Sequence, residues 1–364
     1  MTKKVIVKLK ENSYPILIGK NIFNNIIELL KKYNLNKHLL VITDENVEKI
    51  YSLKIRKTLG SKDVKVNFYS LKSGENSKSY IELNKIYAYM IKNNFGRDSL
   101  IVAIGGGVTG DLAGYVSATF MRGIQLIHVP TTLLAAVDSS IGGKTGINFQ
   151  MKKNMIGAFH QPKLVLVDTT FLKSLPHEEI NSGLGEIVKY AFLTNQKFFS
   201  FVEKNFYNIN NLNDNNLLEV ILTSAEIKAA VVSQDEKESG LRKILNFGHT
   251  FAHSFETNLN FRIKHGEAVS AGIICALFLS NKIGLLSSDN LEKYLSLPLK
   301  VKLSQKLKNM NKEALFEIML HDKKNRDEKI KFVLISDLGK LILDVEADKN
   351  EILSSIDMMS KLIS

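Results

Sequence analysis

Over the first 175 residues, short runs of aliphatic and β-branched residues at 5–9, 16–18, 39–43, 64–68, 100–104, 125–129 and 164–167 alternate with stretches of another period. In those stretches, at 22–33, 47–59 and 79–93, apolar residues recur every three or four positions, the spacing of an amphipathic helix rather than a strand. Strands taken in turn with helices predict an α/β layer on a mainly parallel sheet. Beyond Pro176 the pattern changes: 177–194, 217–233, 247–257, 266–283 and 312–321 all carry the helical spacing. Only 330–335 and 340–344 read as strands, a hairpin around Asp337-Leu338-Gly339. The expectation is an α/β N-terminal domain over 1–175 and a mostly α-helical C-terminal domain over 176–364. Two cores suit a chain of 364 residues, since single cores stop growing near ~250–300 residues.

The formal charge of +12 raises nucleic acid, an anionic membrane and small anionic ligands as partners. The lysines are dispersed, however, with only short pairs such as Lys3-Lys4, Lys31-Lys32 and Lys323-Lys324. That is the pattern of a solvated surface, and with no nucleic-acid-binding motif and no Trp it predicts no nucleic-acid partner. Cys275, the single cysteine, lies in an apolar run and fits a buried thiol in a reducing compartment. The N-terminal residues lack the apolar core of a secretory signal, and the longest apolar stretch, 268–279, is short of the ~20 residues of a membrane span. A cytoplasmic protein without membrane contact is expected.

Three segments carry candidate chemistry. The strand at 100–104 runs into Gly105-Gly106-Gly107-Val108-Thr109-Gly110-Asp111 and then a helix, so that glycine backbone and a helix N-terminus could receive a pyrophosphate. No acid ends a strand about 20 residues downstream, as the usual dinucleotide fingerprint requires. The acid that does end a strand is Asp44, upstream, so a ribose here would be held by a residue preceding the glycines.

The second is a set of metal-ligating residue types: Glu186 in Gly183-Leu184-Gly185-Glu186, His249 in Phe247-Gly248-His249 and His265 in Lys264-His265-Gly266. Two imidazoles and one carboxylate with an open position compose a catalytic zinc site. Spacing suggests a rival pair, His249 and His253, four apart on one helical face. Both pairings stand on these residues alone.

The third segment runs from Pro130-Thr131-Thr132 through Asp138 to Asn148 and on to Lys152-Lys153-Asn154, a glycine-rich loop whose lysines, amides and hydroxyls suit a phosphate or polyol. Gly142-Gly143-Lys144-Thr145 has the end of a P-loop, but Asp138 stands where the first glycine is needed, which excludes nucleoside triphosphate binding by that motif.

Together, Ser73-Gly74-Glu75 with Lys78-Ser79, the run from Gly105 to Asp111, Met121-Arg122-Gly123, Val129 to Leu133, Asp138 to Asn148, Lys153-Asn154, Gly183 to Tyr190, Leu245 to His253 and His265-Gly266-Glu267-Ala268 resemble the signature segments of the 3-dehydroquinate synthases, in the same order over nearly the whole chain. Gly185 and Ala191 are mild departures in small residues. The resemblance implies a dehydroquinate synthase-like fold with a Rossmann-like, NAD-binding first domain and a helical metal- and substrate-binding second domain. It implies Glu186, His249 and His265 as ligands of one divalent ion, zinc or alternatively cobalt. Implied contacts to NAD are Asp44, Asn46, Glu75, Lys78, Gly105, Gly106, Gly107, Val108, Asp111, Thr131, Thr132, Lys153 and Phe171. Implied contacts to the sugar phosphate are Arg122, Asp138, Lys144, Asn154, Lys189, Lys228, Arg242, Asn246, His253 and, from Asp322-Lys323-Lys324, Lys324. Of these, Lys144, Lys189, Arg242, Asn246 and His253 would carry the catalysis. The position of Arg122 serves a partner subunit's site in the family, which implies a homodimer.

The implied reaction converts 3-deoxy-arabino-heptulosonate 7-phosphate to 3-dehydroquinate and phosphate: transient oxidation by NAD, β-elimination of phosphate, re-reduction, ring opening and aldol closure. Its competitors are a cyclase acting on sedoheptulose 7-phosphate, which lacks the carboxylate, and a metal-dependent glycerol or alcohol dehydrogenase. Arg242, Lys228, Asn246 and His253 together favour the carboxylated substrate.

Overall fold

A computed structural model describes residues 2–150, 152–321 and 329–363. The chain forms two compact units, Met1–Leu175 with Ile221–Lys237, and Pro176–Val220 with Glu238–Ser364. Residues 221–237, which the helical spacing grouped with the second half, therefore cluster with the first. The reason is local: Lys228 Nζ donates to both the main-chain oxygen and Oδ1 of Asp138, and Ser233 Oγ accepts from the Lys8 amide.

In chain order the first unit contains β1 (Lys3–Val7), β2 (Tyr14–Gly19), α1 (Ile26–Lys32), β3 (His38–Asp44), α2 (Glu45–Leu59), β4 (Lys65–Leu71), α3 (Tyr80–Lys92), β5 (Ser99–Gly105), α4 (Gly107–Thr119), β6 (Gln125–Pro130), β7 (Lys144–Phe149), β8 (Lys152–Phe159) and β9 (Leu164–Asp168). Seven strands pair in the order β1-β2-β9-β6-β5-β3-β4, all parallel except the edge strand β1. The central strands are buried on both faces. Leu39, Val41, Leu100, Val102 and Ile104 join a core with α1 and α2 on one side, and Leu40, Ile42, Ile101 and Ala103 join a core with α3 and α4 on the other. The period of two thus sends alternate residues to opposite helical layers, which is why these strands read as continuous apolar runs.

β7 and β8 are a difference from the expected loop. Residues 144–149 and 152–159 pair as an antiparallel hairpin that packs on α4, where Gly114 leaves room for Thr145. Lys, Asn and Gly interrupt its alternation, and main-chain pairing rather than an apolar face defines it.

His128 of β6 is 6% exposed on the α4 side of the sheet, and burial, with the nearby His160, pushes its pKa down to about 4. The unfolded chain binds this proton near pH 6.5 while the folded chain does not, so stability rises with pH between those values and is lost as pH falls below 6.5. His128 is expected to cost about 1 kcal/mol of stability between pH 7.5 and 5.5. Urea unfolding at the two pH values should show that extra loss in the native chain and not in His128→Leu; equal losses would disprove it.

The second unit contains α5 (His177–Phe192), α6 (Gln196–Asn210), the start of α7 (Asp214–Gln234), α8 (His249–Asn258), α9 (His265–Lys282), α10 (Ser288–Leu295), α11 (Lys312–Leu320), the hairpin β10 (Phe332–Asp337) and β11 (Lys340–Val345), and α12 (Lys349–Leu362). The longest apolar stretch of the sequence is the middle of α9, buried almost throughout and packed on α5, α8, α10, α12 and β10. A helix apolar on all sides is a central helix. Cys275 lies on it, wholly buried, and burial raises its thiol pKa.

Candidate functional site

In the first unit, β3 and β5 are parallel neighbours with Thr43 opposite Ile104, so Asp44 at the end of β3 stands beside the glycine turn that follows β5. β4 lies on one side of β3 and β5 on the other, which makes this the switch point of the sheet, where ligands of α/β folds bind. Asp44 Oδ1 caps α2 by accepting from the amides of Asn46 and Val47, and Thr109 Oγ1 lies 3.4 Å from its other oxygen. Gly106 precedes the first turn of α4, and the Thr131 amide donates to Gly105 O. The acid, the glycines and Val108 thus converge although sixty residues of chain separate β3 from the turn.

A polar network adjoins this turn. Lys78, 4% exposed, donates to Asp111 (2.5 Å) and Asn154; Asn148 donates from Nδ2 to Glu75 (2.8 Å), and its Oδ1 accepts from the Asn154 amide. Burial raises the pKa of Asp111, against the opposing pull of Lys78. Asn148 closes the network, and in the sequence it stands out only as the end of the Asp138 to Asn148 segment. Lys144 begins β7 on the exposed face, and Lys153 is half-buried on β8. Thr132 Oγ1 accepts from the Ala135 amide, and Asp138 lies on the following π-turn, paired with Lys228. Arg122 is exposed, with φ +68 directly after Met121 at φ +51. Phe171 is wholly buried, with its ring packed against Phe23 and Tyr51.

In the second unit, helix crossings bring three distant residues together. α5 and α9 meet where a Cβ on Gly266 would stand 1.8 Å from Ser182 O, and one on Gly185 2.1 Å from Gly266 O. Gly185, a departure in the motif, is therefore the residue that admits α9. α8 meets α9 at Gly248, held at φ +77, whose carbonyl a Cβ on Gly272 would approach to 2.1 Å. These contacts place Glu186 of α5, His249 at the start of α8 and His265 at the start of α9 around one point, with ligand atoms within 4.8 Å of one another.

Glu186 Oε1 lies 3.5 Å from His249 Nε2 and 3.3 Å from His265 Nε2, while Oε2 is in ion-pair contact with Lys189, one turn along α5 and 1% exposed. The carboxylate is wholly buried, and neither oxygen accepts a well-aligned hydrogen bond. Burial works against its charge, yet Lys189 and the imidazoles hold its pKa well below the usual carboxylate range. Burial pushes His249 down to about 4, whereas the carboxylates of Glu186 and Glu256 overcome burial at His265 and push it up to about 10. One carboxylate and two imidazoles, desolvated yet with the side chain of His265 30% exposed, are a donor set that could hold a divalent cation with a side open to a ligand.

His253, the alternative partner of His249, stands one turn further along α8 with its ring centroid 5.6 Å away, and the Glu186 carboxylate faces His249 and His265 instead. Arg242 is buried in the turn before α8, and Asn246 in the same turn donates to Glu238 (2.9 Å). Lys324 lies outside the described residues. A carboxylate that no sequence motif singles out also borders the site: Glu256, seven residues after His249 on α8.

The family models that match are 3-dehydroquinate synthase N-terminal, over residues 68–182, and 3-dehydroquinate synthase C-terminal, over residues 183–325. A 3-dehydroquinate synthase of Thermoanaerobacter pseudethanolicus is 41% identical over 337 residues, covering 92% of this chain and 95% of that one. One of Geotalea uraniireducens is 41% identical over 350 residues, covering 96% and 97%. Among solved structures, 2-deoxy-scyllo-inosose synthase complexed with carbaglucose-6-phosphate, NAD+ and Co2+ superposes with a TM-score of 0.88 at 26% identity, covering 98% of this chain and 99% of that chain. On matches that span both halves at this identity, the chain belongs to the 3-dehydroquinate synthase family.

Proposed function

We propose that this chain catalyses the reaction of its family, the conversion of 3-deoxy-arabino-heptulosonate 7-phosphate to 3-dehydroquinate and phosphate, a phosphorus-oxygen lyase reaction of the shikimate pathway to chorismate and the aromatic amino acids. The observation that carries it is the convergence of the buried Glu186 carboxylate with His249 and His265, with Lys189 beside it. Glu186, His249 and His265 hold one divalent ion, zinc or cobalt, and the glycine turn with Asp44, Asn46, Glu75, Lys78, Asp111, Thr131, Thr132 and Lys153 holds NAD. When bound, NAD supplies a transient hydride acceptor and the ion supplies Lewis acidity.

The protein's own groups do the rest. Lys189, desolvated and cationic, stabilises oxyanion character at the oxidised carbon, the kind of preorganised electrostatic effect that often dominates catalysis. Lys144, Asn154 and Arg122 hold the phosphate, while Arg242 and Lys228 hold the carboxylate, so the substrate is oriented from both ends. Asp138 and Asn246 position its hydroxyls, and His253 relays protons through water. We read the working form as a cytoplasmic homodimer, in keeping with the buried lone thiol; no helix among the described residues is long and apolar enough to cross a membrane.

The test is phosphate release from the heptulosonate phosphate, with and without chelator and NAD. Release should need both NAD and the ion, leave no net NADH, and fail with sedoheptulose 7-phosphate. Stoichiometric NADH without phosphate would identify a dehydrogenase instead.

A further inference from the structure

We infer that Glu256 is a positioning residue for the metal centre, holding His265 in the tautomer and orientation that present Nε2 to the ion. This rests on reading Glu186, His249 and His265 as the ligands. Each imidazole aims Nε2 at Glu186 Oε1 and turns Nδ1 toward an acceptor. For His249 that acceptor is the main-chain oxygen of Phe247, 3.2 Å away; for His265 it is Glu256 Oε1, 3.5 Å away. A proton on Nδ1, shared with an acceptor, leaves the Nε2 lone pair free for a metal and stops the ring from turning.

The position of Glu256 argues for a function. It is 6% exposed, and it lies in the last turn of α8, where the helix dipole disfavours a negative charge. A buried carboxylate there is costly unless a cationic or donating partner compensates it. His265 is such a partner, and it reaches Glu256 because α8 and α9 cross at Gly248 and Gly272. His249, His253 and Glu256, spaced four and three apart, share one face of α8, so the same helix supplies one imidazole and the support for the other.

The test uses the full chain and Co2+ and Zn2+ themselves. Dissociation constants from chelator competition should rise about 10- to 100-fold in Glu256→Leu and by less in Glu256→Gln, whose amide oxygen keeps an acceptor but not the charge. The visible spectrum of the Co2+ form should shift in Glu256→Leu, which a role confined to packing would not cause. Selective 15N-histidine spectra of the native chain should show His265 protonated at Nδ1 and coordinated through Nε2, a measurement that decides the matter even where a variant fails to fold. Unchanged constants in both variants, or coordination through Nδ1, would overturn the inference and leave the metal reading standing. A native chain that binds no stoichiometric ion would instead remove that reading.

Discussion

Lys189→Ala, loaded with its divalent ion and NAD, is expected to fold and to lose about 10²- to 10³-fold in turnover, the range seen when one preorganised oxyanion donor is removed. The expectation follows from burial. Lys189 is 1% exposed and its ammonium contacts Glu186, so it is a fixed, desolvated charge beside Glu186, His249 and His265 rather than a mobile surface lysine. With the ion bound, the charge of Glu186 stays compensated after Lys189 is removed, and the thermal midpoint should remain close to that of the native chain. Without the ion the variant leaves a buried carboxylate lacking its principal counter-charge, which costs about 3–5 kcal/mol, so its stability should depend on metal more steeply. Lys189→Met, which keeps the volume, separates lost packing from lost charge. The measurements are kcat by phosphate release and thermal unfolding with and without chelator; near-native turnover in either variant would remove the role assigned to Lys189.

Gly266→Ala should disable the protein at the level of the fold. The added Cβ would stand 1.8 Å from Ser182 O and 2.6 Å from Ser182 C, both main-chain atoms that no rotamer change can move. Alanine would gain about 1 kcal/mol over glycine in helix propensity, but the overlap costs at least about 1–3 kcal/mol and forces α5 and α9 apart. Since His265 precedes Gly266 and Glu186 follows Gly185, that separation falls on the 3.3 Å contact between the imidazole and the carboxylate. Reduced thermal stability together with loss of retained metal is the expected result. A variant with native stability and native metal affinity would show that the crossing has slack and that the glycines are not what seats His265 against Glu186.

Most of the elements were legible because their causes are local. The unbroken apolar runs of β3 and β5 record burial on both faces, the spacing of three and four in α2 and α3 records which side of each helix meets the core, and the apolar length of α9 records a helix buried all round. The glycine turn was legible because a Cβ at Gly105 or Gly106 would collide with Thr109 or Thr132, and backbone that must pass so closely leaves its residue type in the chain. α6, α10 and α12 went unread, as did the hairpin of β7 and β8, whose apolar alternation is broken by Lys, Asn and Gly and whose stability comes from main-chain pairing and contact with α4.

From the order of residues alone came the α/β and helical halves, the turn at Gly105 and the roster of acids, imidazoles and lysines able to do chemistry. Which of them meet was a matter of helix crossings. Spacing pointed to His249 with His253; the close approach of α5, α8 and α9 at Gly185, Gly266, Gly248 and Gly272 turned Glu186 toward His249 and His265 instead and brought Glu256 behind them. Periodicity reports on the neighbours a residue has within its own element, whereas a three-residue centre drawn from three helices depends on how closely their backbones can approach.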